Sequence, residues 1–194
     1  SVTLVEFLPG IVPNEDEEVS KQLERSFKKM KMKIMTDSLV ESVDTSHGKC
    51  LVTIKTPGGE EVIETDIVFS AVGVTTNIED VGLDRVGVKT EKGKVVVDDY
   101  YTTSVPGVFA IGDIVHGPAL AHVASAEGII CVEKIAEVEV EPLDYTNIPA
   151  CTYTNPEIAS CGLTEAAARQ AGYDIKVGKF PFTASGKANA SGAK

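Results

Sequence analysis

No stretch of this 194-residue chain comes near the ~20 consecutive apolar residues that a membrane-spanning helix requires. No basic-then-apolar leader opens it either, so neither insertion nor export is expected. Cations are scarce: 18 Lys and Arg stand against 29 Asp and Glu, a formal net charge of -11. A surface of that sign repels phosphate backbones and anionic headgroups unless its few cations cluster. They cluster only at Lys28, Lys29, Lys31 and Lys33, so neither nucleic acid nor membrane is expected as a partner, and a cytoplasmic location is. The cysteines, Cys50, Cys131, Cys151 and Cys161, form no Cys-x-x-Cys pair and have no histidines at ligand spacing. That pattern speaks against a metal site and a disulfide framework, and the thiols are read as packing groups.

What is present is ordinary globular material, 43% hydrophobic and 24% charged, of a length suited to one large domain or two small ones. Ser1 lies inside an apolar strand pattern, the three methionines lie well inside, and residues 186–194 are small and polar with no closing element. These ends lead us to expect a stretch of a longer polypeptide.

Residues 2–6 read as a short buried strand, after which Pro9, Gly10 and Pro13 interrupt regular structure. A helix follows, with Asn14 as its cap, Glu17 at the third helical position, and lysines at the negative end of the dipole. Val19, Leu23, Phe27 and Met30 give it one apolar stripe. Runs at 38–43, 51–55 and 61–64, separated by Ser46-His47-Gly48 and Pro57-Gly58-Gly59, predict an antiparallel meander. Residues 67–73 are too apolar to alternate, as in a strand covered on both faces. A strand, helix, meander and buried strand make most of a nucleotide-binding α/β unit that lacks its first strand. Further on come a hairpin at Glu91-Lys92-Gly93 and a four-residue buried strand at 108–111 that ends at Gly112-Asp113. A small-residue helix over about 119–136 follows, then an acidic linker at 137–144. A strand at 150–154, a helix capped by Thr164 and ended by Gly172, and a strand at 175–182 complete the pattern.

Gly112-Asp113 is the most informative point. A strand ending in glycine lets a ligand approach bare backbone, and the following carboxylate accepts hydrogen bonds from ligand hydroxyls. An Asp that merely caps the next turn is the alternative. The next helix starts only a few residues later, and its free N–H groups suit negative charge on a ligand carbonyl or ring nitrogen. Ala119, Ala121, Ala124, Ala126 and Gly128 keep that helix narrow, for a flat ring or for tight packing. Glu6 ends the first strand, where doubly wound folds place an acid on the ribose hydroxyls of a dinucleotide; a solvated strand-end Glu is the alternative.

Four segments in order resemble the flavin-dependent pyridine nucleotide-disulfide oxidoreductases: residues 103–113, Gly117-Pro118-Ala119-Leu120-Ala121-His122, Glu127-Gly128-Ile129-Ile130-Cys131-Val132-Glu133, and Tyr153-Thr154-Asn155-Pro156-Glu157-Ile158-Ala159. The resemblance implies an α/β chain of partial doubly wound units, an NAD-binding part at 1–78 and an FAD-binding part at 79–146, followed by the start of an α+β dimer-interface domain at 147–194. It implies that Gly112 and Asp113 hold the ribitol of FAD, that Ala119, Leu120, Ala121 and His122 face the flavin's pyrimidine edge, and that Glu6, Val40 and Gly73 contact NAD. Glu6, with no arginine beside it, would repel the 2′-phosphate of NADP.

The expected activity of the whole protein is oxidation of dihydrolipoyl groups, carried on the lipoyl domains of 2-oxo acid dehydrogenase complexes, with NAD as acceptor, by a homodimer. A glutathione or mercuric reductase of the same family, and a structural or dimerisation module without catalysis, are the alternatives. The chain departs from the family pattern at several places. It has no Gly-x-Gly among its 17 glycines, no Cys-x-x-x-x-Cys, and no carboxy-terminal His-Glu pair, since His47, His116 and His122 lie elsewhere. Val74 follows Gly73 where many relatives carry arginine. No catalytic residue is therefore expected in this chain, and His122 is expected to orient the helix start.

Overall fold

The structure, a computed structural model, describes residues 1–46 and 48–192; His47 of the predicted first meander turn and the last two residues of the polar tail lie outside the described residues. The chain divides into two compact units, Ser1–Ser70 with Pro149–Lys194, and Ala71–Ile148.

In the first unit, β1 (Thr3–Val5), α1 (Glu17–Lys29) and β2 (Lys33–Met35) form a β-α-β element. β1 and β2 pair in parallel, with Thr3 opposite Lys33 and Val5 opposite Met35. The sequence pattern did not separate β2 from the lysine-rich helix end; the strand is possible because Lys31 turns left-handed (φ 63°) and releases the chain from the helix. α1 begins at Glu17 with Asp16, not Asn14, at its N-cap. Asn14 is used up in a turn closed by the Glu15 N–H on the Val12 carbonyl (3.1 Å). Of the predicted stripe, Leu23 is buried and packs on Ile11 and Ile158, with Phe27 partly buried beside them, which contributes about 1.5–3 kcal/mol for the leucine. Val19 and Met30 at the stripe's two ends are exposed.

The meander is present as β3 (Leu39–Asp44), β4 (Cys50–Thr56) and β5 (Gly59–Thr65) in that order, β3 shifted by one residue from its predicted run and β4 and β5 longer than theirs. Val52 and Ile54 of the central strand pack with Met35 into a second small core. β8 (Pro149–Thr152) pairs antiparallel with β9 (Ile158–Cys161); β9 was not foreseen. α4 (Glu165–Gln170) is capped by Thr164, whose Oγ1 accepts the Ala167 N–H at 3.2 Å, and Gly172 is left-handed beyond it (φ 85°), both as expected.

The second unit holds α2 (Leu83–Val86), the hairpin β6 (Thr90–Glu91) and β7 (Lys94–Val95), and α3 (Ala121–Ile135). The hairpin turns through left-handed Lys92 and Gly93, as expected for a two-residue connection. Its core gathers Val88, Val95 and Val115 with Val97, Val105 and Val108 around them.

Three predicted strands do not form. Residues 67–73 are irregular, with Phe69 89% and Val72 95% exposed. Residues 108–111 make only the isolated bridge of Thr102 to Phe109. Residues 175–182 lead without a ladder into a 3-10 turn (Phe182–Ala184). An apolar run becomes a strand only when a neighbouring edge continues its hydrogen bonds into a ladder. Beside 108–111 there are only the bonds from the Thr103 N–H to the Val108 carbonyl and from the Ala110 N–H to the Tyr101 carbonyl, and among the described residues no strand pairs with 67–73 or 175–182. The polar tail, expected to lack any closing element, instead forms α5 (Gly186–Ser191), capped by Ser185 and ended at left-handed Gly192. None of the cysteines is in a disulfide, but only Cys131 is buried; Cys50 is half-buried and Cys151 and Cys161 are exposed. No described helix is long and apolar enough to cross a membrane.

Candidate functional site

The best-organised site lies in the second unit, where the chain leaves extended Ile111 and tightens into a single 3-10 turn, Gly112–Ile114. Gly112 is left-handed (φ 78°), and a Cβ on it would come 3.3 Å from that of Ala124 on α3. Both the backbone angle and the close approach therefore call for glycine. The turn packs directly against α3. Asp113, in the middle of the turn, is exposed, so its carboxylate is available to a ligand.

α3 starts after Leu120, whose side chain does not cap it. Leu120 has extended backbone and donates its N–H to Pro118 (2.9 Å); it is half-buried, while Ala119, Ala121 and His122 are exposed. The structure thus brings Gly112, Asp113 and residues 119–122 onto neighbouring elements of one unit: an exposed carboxylate on a half-buried turn, and the positive end of a 15-residue helix.

Behind this surface lies a buried polar group that sequence reasoning missed. Glu127 of α3 is 1% exposed. Its Oε2 accepts the Gly112 N–H at 2.5 Å, and its Oε1 accepts the Tyr145 hydroxyl at 2.6 Å. The Tyr145 and Tyr101 hydroxyls are 3.2 Å apart, and the His116 ring stands 5.2 Å from that of Tyr145. Burial, reinforced by the hydrogen bond to Glu127, pushes the Tyr145 phenol far above the usual tyrosine range; burial also raises Tyr101. Gly117 (φ 108°) is the close neighbour of this cluster, because a Cβ there would sit 2.7 Å from Tyr145 Cε1. One signal was legible in advance. Val123, Glu127 and Cys131, the buried residues of α3, recur at spacings of four, so the carboxylate sits in an apolar stripe. Nothing in the sequence connects Tyr145 to it across the acidic linker.

The three nucleotide candidates elsewhere are less organised. Glu6 follows β1 and is half-buried; its Oε1 accepts the N–H of Leu8 at 2.8 Å, and its carbonyl accepts the N–H of Ser38 at 3.0 Å. Val40 lies in β3, 41% exposed, beside an irregularity in the register with β4. Gly73 belongs to the other unit, in an irregular segment with a positive φ of 114° and open space where a Cβ would point. Among the described residues no group of His, Cys, Asp and Glu is arranged to hold a metal ion.

The geometry can be set beside known proteins. Residues 1–128 match the family described as pyridine nucleotide-disulphide oxidoreductase, and residues 148–194 match that family's dimerisation domain. The chain is 47% identical to a dihydrolipoyl dehydrogenase of Rhizobium etli, over 98% of this chain and 40% of the relative. It is 46% identical to that of Mycobacterium leprae, over 98% and 41%, and 43% identical to a mitochondrial dihydrolipoyl dehydrogenase of Pisum sativum, over 97% and 38%. It therefore spans about 40% of the length of these curated relatives. Among solved structures it is similar to LpdA from Mycobacterium tuberculosis, with a TM-score of 0.89 and 26% identity over 98% of this chain and 41% of that one. The HOCl-induced flavoprotein disulfide reductase RclA of Escherichia coli shares the fold, with a TM-score of 0.87 at 20% identity over 98% and 43%. The chain belongs to the pyridine nucleotide-disulphide oxidoreductase family.

Proposed function

We propose that this chain forms the cofactor-facing middle of an FAD- and NAD-dependent dihydrolipoyl dehydrogenase, which oxidises lipoyl-bound dithiols of 2-oxo acid dehydrogenase complexes in the cytoplasm. The observation that carries the reading is the Gly112-Asp113 turn against the start of α3. Its donor set suits a flavin nucleotide: an exposed carboxylate to accept hydrogen bonds from ribitol hydroxyls, and a helix start with no side-chain cap to meet the electron-rich pyrimidine edge. FAD, when bound, supplies the hydride chemistry between a dithiol and a nicotinamide.

The chain's own residues bind and orient. Asp113 and Gly112 hold the ribitol, while residues 119–122 fix the ring and favour negative charge at its edge. Glu6, with Val40, receives NAD, and its negative charge discriminates against a 2′-phosphate. The chain contains no Cys-x-x-x-x-Cys, so thiol chemistry and its base belong to other parts of the enzyme. Within this reading residues 1–78 serve NAD, 79–146 serve FAD, and 147–194 open the interface domain of a homodimer.

The support is the family membership together with relatives named dihydrolipoyl dehydrogenase at 43–47% identity. The test is Asp113→Ala in the complete protein: it loses its flavin on gel filtration, seen as loss of visible absorbance from the protein peak. Full retention of the flavin would sink the reading.

A further inference from the structure

Resting on that flavin reading, we propose that Glu127 is a positioning residue that pins the Gly112-Asp113 turn to α3, so that the Asp113 carboxylate and the N–H groups of residues 119–122 meet FAD in one preset geometry.

The argument starts from donors and acceptors. The Gly112 N–H can only donate, and it points at Oε2 from 2.5 Å. The Tyr145 phenol donates to Oε1 at 2.6 Å. Both carboxylate oxygens are therefore acceptors, the role that an ionised carboxylate fills without carrying a donor of its own. A glutamate that is 1% exposed sits at real desolvation cost unless it is hydrogen-bonded; here one bond comes from the Gly112 amide, beside Asp113, and the other from the Tyr145 hydroxyl.

Glu127 also ties together the site's two halves. It lies two turns into the helix whose first residues face the flavin, and its partner is the left-handed glycine of the turn that carries the ribitol-binding acid. Tyr145 and Tyr101 form a second layer that keeps Oε1 occupied, and glycine at 117 leaves room for the Tyr145 ring. The side chain itself is set behind the surface, so it acts through Gly112 and Asp113.

The test separates positioning from mere packing. In this chain, Glu127→Leu moves the Gly112 amide proton upfield in the NMR spectrum and speeds its hydrogen exchange, because the acceptor is gone. In the flavin-loaded complete protein it raises the FAD dissociation constant about 10- to 100-fold, the range for losing a hydrogen bond to a charged group. Glu127→Gln keeps the length and one acceptor oxygen, so it gives a smaller amide shift and less than a tenfold change; this variant decides the matter on the same two readouts if the leucine protein does not fold. An unchanged Gly112 amide together with unchanged FAD affinity in a folded variant overturns the proposal. Should Asp113→Ala keep its FAD while Glu127→Leu moves the amide, the flavin reading is what fails and the pin serves the turn alone.

Discussion

The two units treat their candidate residues differently. In Ala71–Ile148 the exposed Asp113 is backed by a glycine amide, a buried glutamate and two tyrosines, all contributed by that unit. In the unit that contains Ser1–Ser70, Glu6 is held by its near neighbour Leu8, and Val40 sits exposed at an irregular point of a small sheet. The difference teaches that a site is preset when its supporting shell is present. Asp113 has hydrogen-bonded layers behind it, whereas Glu6 has a local turn. The first unit draws its strength from apolar packing around Leu23.

The contrast can be broken or sharpened by substitution, taking the largest expected effect first. Leu23→Ala, which empties the centre of the Ile11 and Ile158 cluster, should destabilise by about 2–5 kcal/mol in urea unfolding followed by circular dichroism. A loss under about 1 kcal/mol would show that the apolar cluster matters less than claimed. Gly117→Ala should lower stability by about 2–3 kcal/mol, since a Cβ at 2.7 Å from the Tyr145 ring combines overpacking with an unfavourable backbone angle. A neutral effect would mean that the tyrosine cluster yields easily. Tyr145→Phe leaves one oxygen of the buried Glu127 without its donor and should cost about 1–3 kcal/mol. Glu6→Gln, at a half-buried strand end with one local hydrogen bond, should stay within about 0.5 kcal/mol. If Glu6→Gln cost as much as Tyr145→Phe, the comparison between the two acids would collapse.

Alkaline pH probes the same cluster. Tyr145 and Tyr101 both have raised pKa values in the folded protein. Above the unfolded tyrosine pKa of about 10 the unfolded chain releases protons that the folded one keeps. Their contribution to stability is therefore complete below about pH 10 and is lost as pH rises further. Urea unfolding at increasing alkaline pH should show a falling midpoint, and Tyr145→Phe should flatten that fall.

Much of this was legible locally. The meander was readable because strands that pair with their immediate neighbours carry their own turns, as at Pro57-Gly58-Gly59. The Thr164 cap, the Gly172 stop and the Lys92-Gly93 hairpin are likewise properties of a few adjacent residues. The motif Gly112-Asp113 with the small-residue helix start was readable for the same reason. Residues 67–73 and 108–111 were read as buried strands because apolar composition reports a preference for burial, while a strand depends on which edge comes alongside. The misplaced cap at Asn14 shows the limit at the scale of a single turn: Asp16 stands at the N-cap while its carboxylate accepts an N–H from Glu165, 149 residues further on.

By itself the order of residues determined the α/β character, the acidic surface and the presence of a carboxylate beside a glycine at a helix approach, since each depends on neighbours within a few positions. Only the folded chain decided that Glu127 would be buried behind that carboxylate with Tyr145 and Tyr101. A hydrogen bond across 15 or 18 positions depends on how the backbone returns on itself, which no local pattern encodes.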